Sequence, residues 1–123
     1  MTRINCGIPP AELTNKHLLA EHREIKRIPN NMRKGKFSFI GQPLLFKLGT
    51  GHVKFFYDKL GYLKKRYGEL YAECKKRGFD VEDYSEAFEN MPSYIQENYF
   101  KDYNPTEADI TIVKQRISER LRK

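Results

Sequence analysis

Apolar side chains recur at alternating three- and four-residue steps through Val53, Phe56, Leu60, Leu63, Tyr67, Leu70 and Cys74, the spacing that gathers side chains on one face of an α-helix. The seam predicts a long helix over residues 53–77. Its end is marked by Gly78, which can take a left-handed cap position, and by Phe79, which can close over it; Lys75, Lys76 and Arg77 complement the negative helix end. Gly61 and Gly68 each cost about 1 kcal/mol against Ala, so this helix depends on tertiary packing.

Two further blocks flank it. Residues 10–28 predict a helix in which Pro9 and Pro10 suit an opening turn, Thr14 or Asn15 caps the main run, and Pro29, Asn30 and Asn31 weaken its end. After Pro105, Thr106 can act as N-cap with Asp109 three residues on. The helix that follows buries Ile110, Val113, Ile117 and Leu121 and turns Lys114, Arg116, Arg120 and Lys123 outward. Residues 35–51 and 80–104 read as irregular, the second packing across the bundle because it is rich in Tyr and Phe as well as acid. The expected fold is all-α: a compact single-domain bundle of three main helices with irregular connections, spanning residues 1–123.

Composition narrows the class. With 39% hydrophobic and 32% charged residues in 123, the chain is too apolar for a disordered tail and too polar for a membrane protein. The longest apolar run is short, residues 44–46 beside Pro43, and Arg3, Glu12 and Lys16 occupy the place of an apolar signal core, so a cytoplasmic location is expected. Cys6 and Cys74 lack metal-ligand spacing and are expected to be reduced thiols, with no structural zinc. The net charge of +7 is segregated: +11 over residues 1–79, −6 over 80–104 and +2 over 105–123. A basic field of that kind favours a polyanion, with nucleic acid the commonest case and an anionic membrane surface the alternative.

Candidate chemistry gathers on the first helix. At 100° per residue, Glu24 falls among Leu13, His17, Ala20 and Ile28, with Arg23 and Arg27 on one flank and Glu21 on the other. Such a carboxylate is either part of an ion-pair cluster at the core edge or a catalytic group beside a phosphate clamp, since Arg offers paired donors to phosphate oxygens. No side chain pairs a nucleophile with a base: Cys74 lies on the apolar seam, and His17, His22 and His52 have no Ser or Cys at a telling spacing. The remaining candidate is the α-amine of Thr2, exposed once Met1 is removed, with a reference pKa of about 7.7–8.0 against about 10.4 for Lys.

Several stretches together carry a resemblance: Met1, Thr2, Arg3, Ile4 and Asn5; His17, Leu18, Leu19, Ala20, Glu21, His22, Arg23 and Glu24 with Arg27; Leu48, Gly49, Thr50, Gly51, His52 and Val53 through Phe55, Phe56, Tyr57, Asp58, Lys59 and Leu60; Ala72, Glu73 and Cys74; Lys76, Arg77, Gly78 and Phe79; and, more weakly, Pro105, Glu107, Ala108 and Arg116. In the same order along most of the chain, they resemble the phage UV endonuclease V family of pyrimidine-dimer DNA glycosylases.

The resemblance implies a compact three-helix repair enzyme that acts on cyclobutane pyrimidine dimers in double-stranded DNA, without metal or organic cofactor. It also implies abasic-site lyase activity through an imine on the N-terminal threonine amine, here Thr2, followed by β-elimination assisted by a carboxylate, here Glu24. The DNA-contacting residues it implies are Arg3, His17, Arg23, Arg27, Arg116 and, with Arg for the family's Lys, Arg120. A monomer working without a membrane, near the nucleoid of a bacterial or phage-infected cell, is the matching expectation. Three features depart from the family: no aromatic follows Tyr103 where the family has a tail dense in Trp and Tyr, the connection from Arg27 to His52 is shorter, and His22 stands for a Tyr. Tyr57, Tyr99 and Tyr103 are the rings that could replace the tail. The alternatives are a glycosylase or lyase for a different base lesion and a non-catalytic DNA-binding helical module.

Overall fold

The structure, a computed structural model, describes residues 2–121. Met1, whose removal the expected amine chemistry requires, and Lys123, expected on the basic face of the last helix, lie outside the described residues. The chain is all-α: a 3₁₀ turn at Pro10–Glu12, then α1 (Asn15–Glu24), α2 (Arg27–Arg33), α3 (His52–Phe55), α4 (Leu60–Lys76), a 3₁₀ turn at Ser85–Phe88, α5 (Ser93–Asn98) and α6 (Glu107–Leu121). Among the described residues no β-strand forms, and an isolated antiparallel bridge joins Lys59 to Phe100. The three main helices are α1, α4 and α6. They enclose a core that includes Ile4, Leu18, Ile25, Phe55, Phe56, Leu60, Leu63, Leu70 and Val113.

The first predicted helix is corrected to three pieces. Thr14 caps α1, its side chain accepting from the His17 N–H at 3.3 Å, but α1 ends at Glu24. Pro29 does not end a helix; it lies in the first turn of α2, where its missing N–H has no intrahelical partner to lose, and α2 runs on to Arg33. Angles counted from Leu13 therefore fail beyond Glu24, and Arg27 and Ile28 belong to another helix.

The second predicted helix is corrected to two. Its chain breaks before α4 because residues 99–101 close against it. The Leu60 and Tyr62 N–H groups, unpaired within α4's first turn, donate to the carbonyls of Tyr99 (2.9 Å) and Lys101 (3.2 Å). Gly61 is what allows that approach, since a Cβ there would lie 2.5 Å from the Phe100 carbonyl oxygen. From Leu60 onward the seam holds, with Leu63, Tyr67, Leu70 and Cys74 all buried. The predicted end also holds: Gly78 takes φ +81°, its N–H donates to Lys75 O at 3.0 Å, and the Phe79 N–H donates to Cys74 O at 2.9 Å.

At α6, Thr106 and Asp109 cap each other reciprocally, at 3.0 and 3.1 Å. Val113 is buried and Ile110 and Ile117 are half-buried, but Leu121 is 58% exposed, a correction to its predicted core place at a helix end that no other described residue covers. Residues 80–104 pack across the bundle as expected, with the 3₁₀ turn and α5 inside them. The Arg33 guanidinium donates to the carbonyls of Glu86, Ala87 and Glu89 (3.2, 2.9 and 2.5 Å), and the Tyr84 N–H donates to Tyr67 Oη at 2.6 Å. His22 is buried beside Tyr67, Tyr71 and Tyr84, 3.1 Å from Tyr67 Oη. Among the described residues, no helix is long and apolar enough to cross a membrane.

Candidate active site

The first eight residues carry Ile4, Cys6 and Ile8 into the core as alternate apolar positions, and four helices hold the backbone between them. The Arg3 N–H donates to Glu24 Oε1 of α1 at 3.0 Å, the Ile4 N–H to His52 Nε2 of α3 at 2.9 Å, and the Gly7 N–H to Tyr62 Oη of α4 at 3.2 Å. From α6, Arg116 Nη2 donates to Asn5 Oδ1 at 2.8 Å.

Asn5 continues inward. Its Nδ2 donates to Glu21 Oε1 at 2.8 Å, and Arg66 of α4 donates to both oxygens of Glu21 and, at 2.8 Å, to the Ile8 carbonyl. The Glu21 side chain is fully buried and that of Arg66 is 4% exposed. Burial alone would lower the Arg66 guanidinium's proton affinity, but the charge and hydrogen bonds of Glu21 raise it on balance. Glu21, expected only to flank the inward arc, is thus the structural carboxylate of α1. Glu24, expected within that arc, is half-buried at the surface, with Arg23 Nη2 3.8 Å from its Oε2.

Two adjoining hollows open on either side of Arg3. One of about 250 Å³ is lined by Thr2, Arg3, Leu48, Gly49, His52, Val53, Arg116 and Arg120. The other, about 40 Å³, is lined by Arg3, Asn5, His17, Ala20, Glu21, Glu24, Arg116 and Arg120. Three covalent bonds separate the Thr2 nitrogen from the Arg3 nitrogen that donates to Glu24 at 3.0 Å, so the Thr2 nitrogen lies no more than about 7 Å from Glu24 Oε1. The structure thus brings Thr2, Arg3, His17, Glu24, Arg116 and Arg120 around one place, with Arg23 joined through Glu24. Arg27 lines neither hollow and sits exposed at the start of α2. Tyr57, Tyr99 and Tyr103 line neither; Tyr103 packs edge-on against Phe55 and Tyr62 and bonds Asp109.

Cations crowd this place. Arg116 has its guanidinium pKa lowered by burial first and then by Arg3 and Arg120, with Glu21 and Glu24 opposing. His17 is pushed down by burial and then by Lys16, Arg116, Arg120 and Arg3, while its Nδ1 lies 2.8 Å from Thr14 Oγ1. Three guanidinium groups beside one accessible carboxylate suit an anionic ligand whose reaction also needs a base. Among the described residues no cluster of three His, Cys, Asp or Glu side chains could hold a metal ion.

Reasoning from sequence missed Asn5, Glu21, His52 and Arg66 as the supports of this site. One signal was available: Arg66 interrupts the apolar face of α4 between Leu63 and Tyr67, where a charge needs a buried partner. A comparison with protein families matches residues 1–86 to the family described as pyrimidine dimer DNA glycosylase.

Proposed function

Because the chain belongs to the pyrimidine dimer DNA glycosylase family, a family of DNA repair glycosylases whose substrate is DNA, we propose that it releases the base through the α-amine of Thr2 and then cleaves the strand at the abasic site. The amine attacks the sugar's anomeric carbon, the glycosidic bond breaks, and its electron pair leaves with the base. The adduct opens to an imine. The Glu24 carboxylate takes a proton from the neighbouring sugar carbon; those electrons form a double bond and expel the 3′ phosphate, and water later hydrolyses the imine to free the amine.

The observation that carries this reading is the hydrogen bond from the Arg3 N–H to Glu24, which ties the carboxylate to the residue next to Thr2. Arg3, Arg116 and Arg120 favour the uncharged amine by repulsion, and with Arg23 and Arg27 they hold the flanking phosphates, His17 contacting the DNA beside them, so that the anomeric carbon stays within reach. We also propose that residues 1–123 work as one domain and as a monomer. The family match ends at residue 86, yet α6 beyond it inserts Val113 into the core and Arg116 into the site.

The test is borohydride reduction with UV-irradiated and with abasic DNA, which is expected to trap a covalent protein–DNA adduct. Intact mass is expected to show that Met1 has gone, and acetylating the amine, or retaining Met1, is expected to abolish trapping, base release and cleavage together. No adduct on either DNA from protein lacking Met1 would reject the reading.

A further inference from the structure

A residue drawn out of a base stack leaves a gap, and an enzyme that attacks the anomeric carbon needs something to fill it. Ile40, Leu44 and Leu45 are 84%, 97% and 81% exposed, the three most exposed of the large apolar side chains among the described residues, and they share the connection between α2 and α3. Single exposed apolar side chains are ordinary; three on one loop are a patch.

The patch is held out on a fixed base. On one side Gln42 Nε2 donates to Lys54 O at 3.0 Å and to Asp58 Oδ1 at 3.3 Å, and Lys54 donates to the Ile40 carbonyl. On the other, Phe46 is buried, its ring 5.4 Å from His52 and 5.8 Å from Phe55. Leu44 and Leu45 lie between these anchors. Two positions beyond Phe46, Leu48 and Gly49 form the wall of the hollow that Thr2 also lines, so Leu45 is within about 11 Å of that wall along the chain. Exposed Lys47 and half-buried Lys54 give the loop a basic border.

From this continuity of apolar tip, basic border and reactive hollow we infer that Leu44 and Leu45 are a wedge that enters the DNA base stack beside the lesion and takes the place of the displaced nucleotide. The occupant is the base step itself: its apolar faces receive the leucines while the flanking phosphates meet the lysines. The wedge rests on the glycosylase and lyase reading above. It would matter most on duplex DNA, where stacking must be broken, and least on a single strand, where no stack opposes the reaction.

The double variant Leu44→Ser, Leu45→Ser tests this, and both side chains are exposed enough for the fold to tolerate the change. Borohydride trapping on UV-irradiated duplex is expected to slow by about ten- to a hundredfold, the order set by unstacking one base step, while trapping on a single-stranded abasic oligonucleotide keeps the wild-type rate. On a duplex with 2-aminopurine next to an abasic analogue, wild-type protein is expected to raise the fluorescence and the variant is not. Equal rates for both proteins on the duplex, or equal slowing on duplex and single strand, would overturn the wedge alone. Failure of the wild-type protein to trap either DNA would overturn the reading it rests on.

Discussion

His52 accepts the Ile4 N–H on Nε2 at 2.9 Å while its Nδ1 donates to the Lys47 carbonyl at 2.8 Å. The two contacts fix a neutral imidazole, because a proton on Nε2 would displace the Ile4 N–H. One buried ring thereby joins the segment that carries Thr2 to the loop that carries Leu44 and Leu45.

Acid is expected to loosen the fold through this ring. His52 has its pKa lowered from 6.5 mainly by burial, with Arg116 and Arg3 adding to the effect, and His17 and His22 are lowered chiefly by burial too. Below about pH 6.5 the unfolded chain binds protons that the native chain does not, so stability rises with pH in that window and falls as pH drops through it. Unfolding by urea at steps from about pH 7.5 to pH 5 should show the decline. In His52→Phe the decline should be shallower, from a lower starting stability, since the Ile4 N–H is left unpaired.

Glu24→Gln separates the base from its setting. The amide oxygen can still accept the Arg3 N–H, but it cannot take a proton, so β-elimination is expected to slow by about 10²–10⁴-fold. Binding to damaged DNA should be kept or tightened because a negative charge leaves a phosphate-facing site. An unchanged rate on abasic DNA would reduce Glu24 to an ion-pair partner of Arg23.

Salt dependence measures the basic rim. Five phosphate contacts through Arg3, Arg23, Arg27, Arg116 and Arg120 imply a slope of roughly −4.5 for log affinity against log salt on duplex DNA. Titration at several salt concentrations reads it, and a slope near zero would make those arginines solvated surface.

Removing one member of the buried pair should hurt far more than removing both. Arg66→Met leaves Glu21 buried and uncompensated and is expected to cost about 3–5 kcal/mol. Arg66→Met with Glu21→Leu should recover much of that, though Asn5 loses an acceptor. Chemical denaturation of the two variants and the parent gives the comparison directly.

What the sequence disclosed was what local physics decides. The α4 seam from Leu60 to Cys74, the cap at Gly78 and Phe79, and the Thr106–Asp109 pair all depend on neighbours within a few residues. The break before Leu60 does not, because Tyr99 and Lys101, distant in the sequence, supply the carbonyls that meet the first turn of α4. Glu21 and Glu24 exchanged their expected depths for the same reason: helix angles place both near the core, and Arg66, 45 positions away, decides which one is buried. The resemblance marked Thr2, Arg3 and Glu24, but nothing short of the fold placed Asn5 and His52 beneath them.

The hydrogen bond between Asn5 and Arg116 spans 111 positions. During synthesis the segment bearing Thr2 emerges well before its anchor on α6, which follows 111 positions after Asn5. Loop closure over such a distance is entropically late in folding. Until α6 has docked, the segment lacks Arg116 and Arg120 beside it, so on the proposed reading a chain without α6 is expected to carry an ordinary N-terminus, and reactivity towards DNA waits for that helix.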